Sequence, residues 1–170
     1  MFKSIACSRV PFRQGYRLVA GLLLLLLLGA CATATSEQPL PASDSRGIAV
    51  VPLVDGGTRI DVSTDAAFDF GKAGLRSVFA VRLAQVVGPY LQQAVRVSGY
   101  TDNVGAPAFN LDLSQRRARA IAEVLREQGV SDAQLTVNGY GEDNPVASNA
   151  TEAGRRLNRR VELLFTAEAP

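Results

Sequence analysis

The sequence predicts an α+β fold: a two-layer α/β sandwich in which one mixed β-sheet packs against two main helices, in β-α-β-α-β-β order behind an N-terminal hairpin. Three observations lead there. β-rich runs open and close the region after residue 47, two stretches between them carry apolar residues at helical spacing, and glycine or proline breaks fall near the ends of those stretches. Strands combined with helices that are apolar on one side build layers of this kind.

The first 30 residues stand apart from that fold. Lys3, Arg9, Arg13 and Arg17 precede a short apolar run, Leu18 to Leu28, which small residues and Cys31 follow. This is the pattern of an export signal; a membrane span needs about 20 apolar residues, and the run has near half of that. Leu28-Gly29-Ala30-Cys31 resembles the lipobox of bacterial lipoproteins, with Gly29 a mild departure from the commoner Ala or Ser. That resemblance implies lipidation of Cys31, a membrane anchor of several acyl chains, palmitate among them, and, with Ala32 rather than Asp next, the outer membrane. Several chains hold firmly because each buried methylene contributes about 0.8 kcal/mol, whereas a single chain is marginal. Residues 31–46 are rich in Ala, Thr, Ser and Pro and are expected to form a flexible tether, of roughly 20–25 Å as a coil. The folded domain is expected over 47–168.

Within that domain, Ile48 to Val54 and Arg59 to Val62 are β-rich, and Asp55-Gly56-Gly57 between them signals a hairpin. Phe68 and Phe70, two positions apart, share one face if extended, and are expected to plug the core edge rather than to stack on sugar. Leu75, Phe79, Leu83, Val86, Val87 and Leu91 form one helical stripe, which Gly88-Pro89 should kink or end near Val87. Ala94 to Thr101 alternates as a strand. A strand, a crossover helix and a strand suggest parallel pairing. The second helix starts at a cap supplied by Asn110 or Ser114, buries Leu113, Ile121, Val124 and Leu125, and stops near Gln128-Gly129. Gln134 to Tyr140 is a strand, Thr151 to Leu157 one or two helical turns, and Asn158 to Phe165 the last strand.

Composition narrows the chemistry. The formal charge is +2, but the first 30 residues hold 4 of the 18 Lys+Arg and none of the 16 Asp+Glu, leaving 14 against 16, a net −2. The apparent basicity belongs to the targeting segment, and no nucleic-acid partner is expected, since that would need a basic patch. There is no histidine, and beyond Cys31 no cysteine. The commonest metal ligand, the commonest general base and a thiol nucleophile are therefore all absent from the domain. Paired acids such as Asp61 and Asp65, or Glu142 and Asp143, are ordinary surface features. No enzyme activity, no cofactor and no metal site are expected.

One pair of residues asks for an explanation. Asp102 ends the strand of residues 94–101, and Arg117 lies between Leu113 and Ile121 on the buried stripe of the second helix. A guanidinium on that stripe needs an anion, because an uncompensated buried charge is costly. Two anions are open: Asp102 itself, as an internal salt bridge, or the carboxylate of a ligand. In the second case one acid, one base and the turn amides of Asn103 to Gly105 fit a zwitterion, its ammonium toward Asp102 and its carboxylate on the two-pronged donor of Arg117.

Gly99-Tyr100-Thr101-Asp102-Asn103-Val104-Gly105, Asn110, Leu113-Ser114-Gln115-Arg116-Arg117-Ala118, Gly139-Tyr140-Gly141, Pro145, and Gly154-Arg155 through Asn158-Arg159-Arg160-Val161-Glu162 resemble the OmpA-like peptidoglycan-binding domain of bacterial lipoproteins, porin tails and flagellar stator proteins. The resemblance runs from about Phe68 to Phe165. It implies that Asp102 and Arg117 clasp the diaminopimelate of the stem peptide, with contributions from Thr101, Asn110, Leu113 and Arg160, beside the turn amides of Asn103 and Gly105 already read as part of the pocket. Tyr100 departs from the pattern, standing where many members have histidine. The implied partners are peptidoglycan and, through lipid, the membrane, and the implied location is the periplasmic side of the outer membrane. The alternative is an envelope protein-interaction module that docks partner proteins through Arg116, Arg119 and Arg126.

Overall fold

The computed structural model describes residues 47–166. The expected signal (1–30), Cys31, the tether (31–46) and the last four residues lie outside the described residues. Among the described residues nine strands and α-helices follow in order, besides two 3₁₀ turns: β1 (Ile48–Pro52), β2 (Thr58–Ser63), α1 (Thr64–Ala67), α2 (Ser77–Val87), β3 (Ala94–Gly99), α3 (Pro107–Glu127), β4 (Leu135–Gly139), α4 (Glu152–Asn158) and β5 (Arg160–Thr166). The fold is the α+β architecture expected, with one mixed five-stranded sheet in the order β1-β2-β5-β3-β4.

The hairpin of β1 and β2 forms as expected, with Val50 opposite Ile60. The expected parallel pairing of β2 with β3 does not. β5 inserts between them, antiparallel to both, with Val161 opposite Val62 and Leu163 opposite Val97. The physical reason is the apolar face of β5: Val161, Leu163 and Phe165 are fully buried, and only the middle of the sheet covers all three. The parallel pair is β3 with β4. Ile60, Val62, Val95 and Val97 share the β5 core face and meet Phe79, Leu83 and Val87 from α2 and Ile121 and Leu125 from α3. No helix among the described residues is long and apolar enough to cross a membrane.

Helix boundaries follow local chemistry. α2 ends at Val87, where Gly88-Pro89-Tyr90 continues as a 3₁₀ turn. α3 begins three residues before the expected cap, because Pro107 sits in the first turn, where its fixed φ favours the helix and its missing N–H costs nothing. Asn110 and Ser114 are therefore inside α3, both buried, and serve the loops around them. The two phenylalanines part company. Phe68 is 1% exposed, whereas Phe70 is fully exposed, because the chain turns after Phe68 and Gly71 takes a left-handed φ of 67°.

Two close approaches fix α3 against the sheet. A Cβ on Gly99 would run into the Ser114 carbonyl, and one on Gly139 into the backbone of Gln115. The Gln115 side chain also accepts from the Gly139 N–H, and Ser114 Oγ accepts from the Gly141 N–H at 2.9 Å. Glycine at the ends of β3 and β4 thus lets the first half of α3 lie directly over them, which carries Arg117 to the end of the sheet where Asp102 emerges.

Candidate functional site

Asp102 leaves β3 in a tight turn. Its Oδ1 accepts the Val104 N–H at 3.0 Å, and its main-chain carbonyl accepts from Asn110 Nδ2 at 3.3 Å. The other amide proton of that buried asparagine is directed at Glu142 Oε2, 2.9 Å away. The turn is thereby tied to α3 on one side and to the loop after β4 on the other.

Asp102 and Arg117 do not pair with each other. Among the described residues Asp102 Oδ2 is bound by Arg159 Nη1 at 2.7 Å. Arg159 also engages Asp65 through two parallel bonds, Nε to Oδ1 at 2.9 Å and Nη2 to Oδ2 at 2.8 Å, and Glu152 Oε1 at 2.8 Å. The hydrogen bonds to Asp65 lead in holding the Arg159 guanidinium well above the usual arginine pKa; those to Asp102 and Glu152 act the same way, and burial opposes them. Glu152 is correspondingly held below the usual carboxylate range, first by Arg159.

Arg117 is held by neutral groups. Nε donates to the Lys72 carbonyl at 3.0 Å, Nη1 donates to Thr64 Oγ1 at 3.3 Å, and the guanidinium carbon lies 5.4 Å from the centroid of the Phe68 ring. No carboxylate lies within ion-pair distance of it among the described residues, although it is only 5% exposed. Burial pulls its pKa below the ordinary arginine value, and nearby Asp65 only partly offsets this. Nη2 has no protein partner among the described residues. Thr101 Oγ1 is buried and also has no partner among them. Both residues line a cavity of about 660 Å³ that Asp102, Asn110, Leu113 and Arg159 also line.

Of the residues expected from the sequence, Asp102, Arg117, Thr101, Asn110 and Leu113 thus come together around one cavity. Asn103 and Gly105 are exposed in the turn beside it without lining it, Gly105 at a left-handed φ of 109°. Arg160 lies elsewhere. It shares the strand face of Glu162, turned away from the helices, where its guanidinium stacks 3.9 Å from the Tyr100 ring centroid and pairs with Glu162 at 2.7 Å. Tyr100 is stacked in turn on Tyr140, with centroids 5.3 Å apart. It belongs to that far face, not to the cavity.

Sequence reasoning missed Arg159, Thr64, Asp65 and Glu152 as parts of the site. Strand alternation offered a signal for the first two: residue 159 has the parity of the core residues Val161 and Leu163, and residue 64 that of Ile60 and Val62. What brings them together is the long-range register in which Ser63 faces Arg160.

A family model described as the OmpA family matches residues 67–159. Outer membrane porin F of Pseudomonas fluorescens is 45% identical over 113 residues, which is 65% of this chain and 35% of the porin's length. The outer-membrane lipoprotein YfiB of Pseudomonas aeruginosa is 35% identical over 160 residues, 89% of this chain and 95% of the relative. Among solved structures, the cell wall anchor of the type VI secretion system from Pseudomonas aeruginosa superimposes with a TM-score of 0.63 at 31% identity, covering 72% of this chain and 89% of that one.

Proposed function

The chain belongs to the OmpA family, and from that premise we propose that its domain binds peptidoglycan noncovalently by taking the zwitterionic end of diaminopimelate into the cavity between Asp102 and Arg117. The observation that carries this reading is Arg117: a buried guanidinium with no carboxylate partner, beside an unpartnered Thr101 hydroxyl, in a cavity open to a ligand. A ligand carboxylate supplies the missing anion through a charge-assisted hydrogen bond to Nη2. Asp102 retains capacity for the ammonium, since a carboxylate offers about four lone-pair sites and Val104 and Arg159 take two. The bridge that a ligand shares is therefore Asp102–Arg159.

The anchor is part of the same proposal. Lipid on Cys31 would fix the chain to the outer membrane, with the domain on the periplasmic side; the relative YfiB is by name an outer-membrane lipoprotein. Confinement near a polymer dense in identical sites then favours rebinding even where each site is weak. The protein-docking alternative draws less support, because two of its three arginines are already paired, Arg116 with Asp112 and Arg126 with Glu123 and Asp132, which leaves Arg119 as the exposed one without an ion pair among the described residues.

The test is sedimentation with purified sacculi. Asp102→Ala and Arg117→Ala are each expected to abolish co-sedimentation with an unchanged circular dichroism spectrum; retention by both variants removes the clasp.

A further inference from the structure

One part of the cavity's mouth is apolar, beside the half-exposed charges of Asp65, Asp69, Arg76 and Glu152 that also line it. Phe70 is fully exposed, Val104 is 61% exposed and Phe109 49% exposed, and all three line the cavity that holds Arg117 and Asp102. They come from three segments: the turn between α1 and α2, the turn after Asp102, and the first turn of α3. Two of these segments are fastened to the charged floor, through the Lys72 carbonyl on Arg117 Nε and the Val104 N–H on Asp102 Oδ1. By contrast, Phe68, Phe79 and Phe165 are each 4% exposed or less. The lip is therefore an apolar surface left in water by a domain that buries the other phenylalanines among the described residues, and it is continuous with the charged site.

We propose that Phe70, Val104 and Phe109 form a second subsite, for the D-alanine that adjoins diaminopimelate in a stem peptide, so that the domain distinguishes tetrapeptide stems from tripeptide stems. The proposal rests on the reading of Arg117 given above. A cavity of about 660 Å³ lies in the range of roughly 300–1,000 Å³ that takes drug-sized ligands, so it holds more than the zwitterionic tip of one side chain. A ligand pinned by its charges at the floor must cross the lip as it leaves. The residues directly bonded to diaminopimelate are the ones within reach, since successive Cα atoms are about 3.8 Å apart. Each of the two carries one free carboxylate in a tetrapeptide stem, so the apolar group decides: the alanine presents a methyl side chain that suits an aromatic lip, whereas the side-chain methylenes of the glutamate lie within its linkage. The sugar is separated from diaminopimelate by two residues and lies farther out.

The experiment is calorimetric titration of the full domain with three probes: the tripeptide ending in diaminopimelate, the tetrapeptide with D-alanine added, and the tripeptide joined to its disaccharide. The expected result is tetrapeptide binding about three- to tenfold tighter than tripeptide binding, the effect of burying a methyl group and its neighbouring atoms. Phe70→Ala should erase that preference while leaving tripeptide affinity and thermal stability unchanged. Equal wild-type affinities for the two peptides overturn the proposal, as does an equal loss for both in Phe70→Ala. A Phe70-dependent gain seen only with the disaccharide reassigns the lip to sugar and also overturns it. The tripeptide tests the clasp by itself: a wild-type domain that binds neither peptide defeats the reading of Arg117 first, and the subsite falls with it.

Discussion

Arg159 and Arg160 are adjacent in the chain and live in different electrostatic worlds. Arg159 reaches the cavity side and pairs with Asp65, Asp102 and Glu152. Arg160, one residue later, reaches the far face of the sheet, where it lies over Tyr100 and pairs with Glu162. Arg160 opens β5 on the Glu162 face of the sheet, and Arg159, at the bend that joins α4 to β5, falls on the opposite side. The difference teaches that identical side chains are assigned by parity: the first frames a binding cavity, and the second closes the uncovered side of the sheet.

Exchanging one arginine at a time is the strongest way to break the comparison. Arg159→Ala removes the cation that Asp65, Asp102 and Glu152 share; Glu152 keeps Arg155 and Arg156, whereas Asp65 and Asp102 lose their ion pair. Breaking a largely buried ion pair by removing one partner commonly costs about 3–5 kcal/mol; with Asp65 and Glu152 about half exposed, about 2–3 kcal/mol is expected in chemical denaturation, together with loss of sacculus binding as Asp102 is released. Arg160→Ala removes one cation–π contact, one ion pair and the hydrogen bonds to the Asn158 and Asn144 carbonyls, for about 2 kcal/mol, and is expected to leave binding of diaminopimelate peptides within twofold. Equal binding losses in the two variants would erase the distinction.

The smallest expected effect concerns the far face. Asp61 lies opposite Glu162 across the β2–β5 pair, and burial pushes its pKa above the usual carboxylate value, with Arg59 pulling the other way and Glu162 adding to the rise. A carboxyl whose folded pKa is raised is easier to fold when protonated. Its charge therefore weakens the fold above the folded pKa, and that penalty disappears as pH falls below the unfolded value near 3.8. Asp61→Asn is expected to raise the thermal midpoint slightly at pH 7 and to leave it unchanged at pH 3. A destabilised variant at pH 7 would mean that the Arg59 pairing outweighs burial.

Local patterns carried most of the fold and the poles of the site. The helical stripes of α2 and α3, the glycine turn of the hairpin and the break at Gly88-Pro89 were each legible, because they depend on neighbours a few residues apart. Arg117 could be placed on the buried stripe by counting along α3, and its need for an anion followed. The identity of Asp102's partner was not legible. It depends on β5 entering the middle of the sheet beside β2, a contact between segments almost a hundred residues apart that is fixed by the burial of Val161, Leu163 and Phe165. The same long-range register separates Arg159 from Arg160 and brings Thr64 under Arg117. The outward turn of Phe70 escaped as well, since strand-like alternation there gives way to a turn through Gly71.

The central claim is that Arg117 awaits a ligand carboxylate. Its most direct test is an NMR titration of the domain with a stem tripeptide ending in diaminopimelate, against the same peptide ending in lysine, which lacks the second carboxylate. The account predicts shifts at Arg117 and Asp102 with the first peptide and binding at least about tenfold weaker with the second, because the buried guanidinium then stays unpaired. Equal affinity for the two peptides, or binding that leaves Arg117 unperturbed, would contradict it.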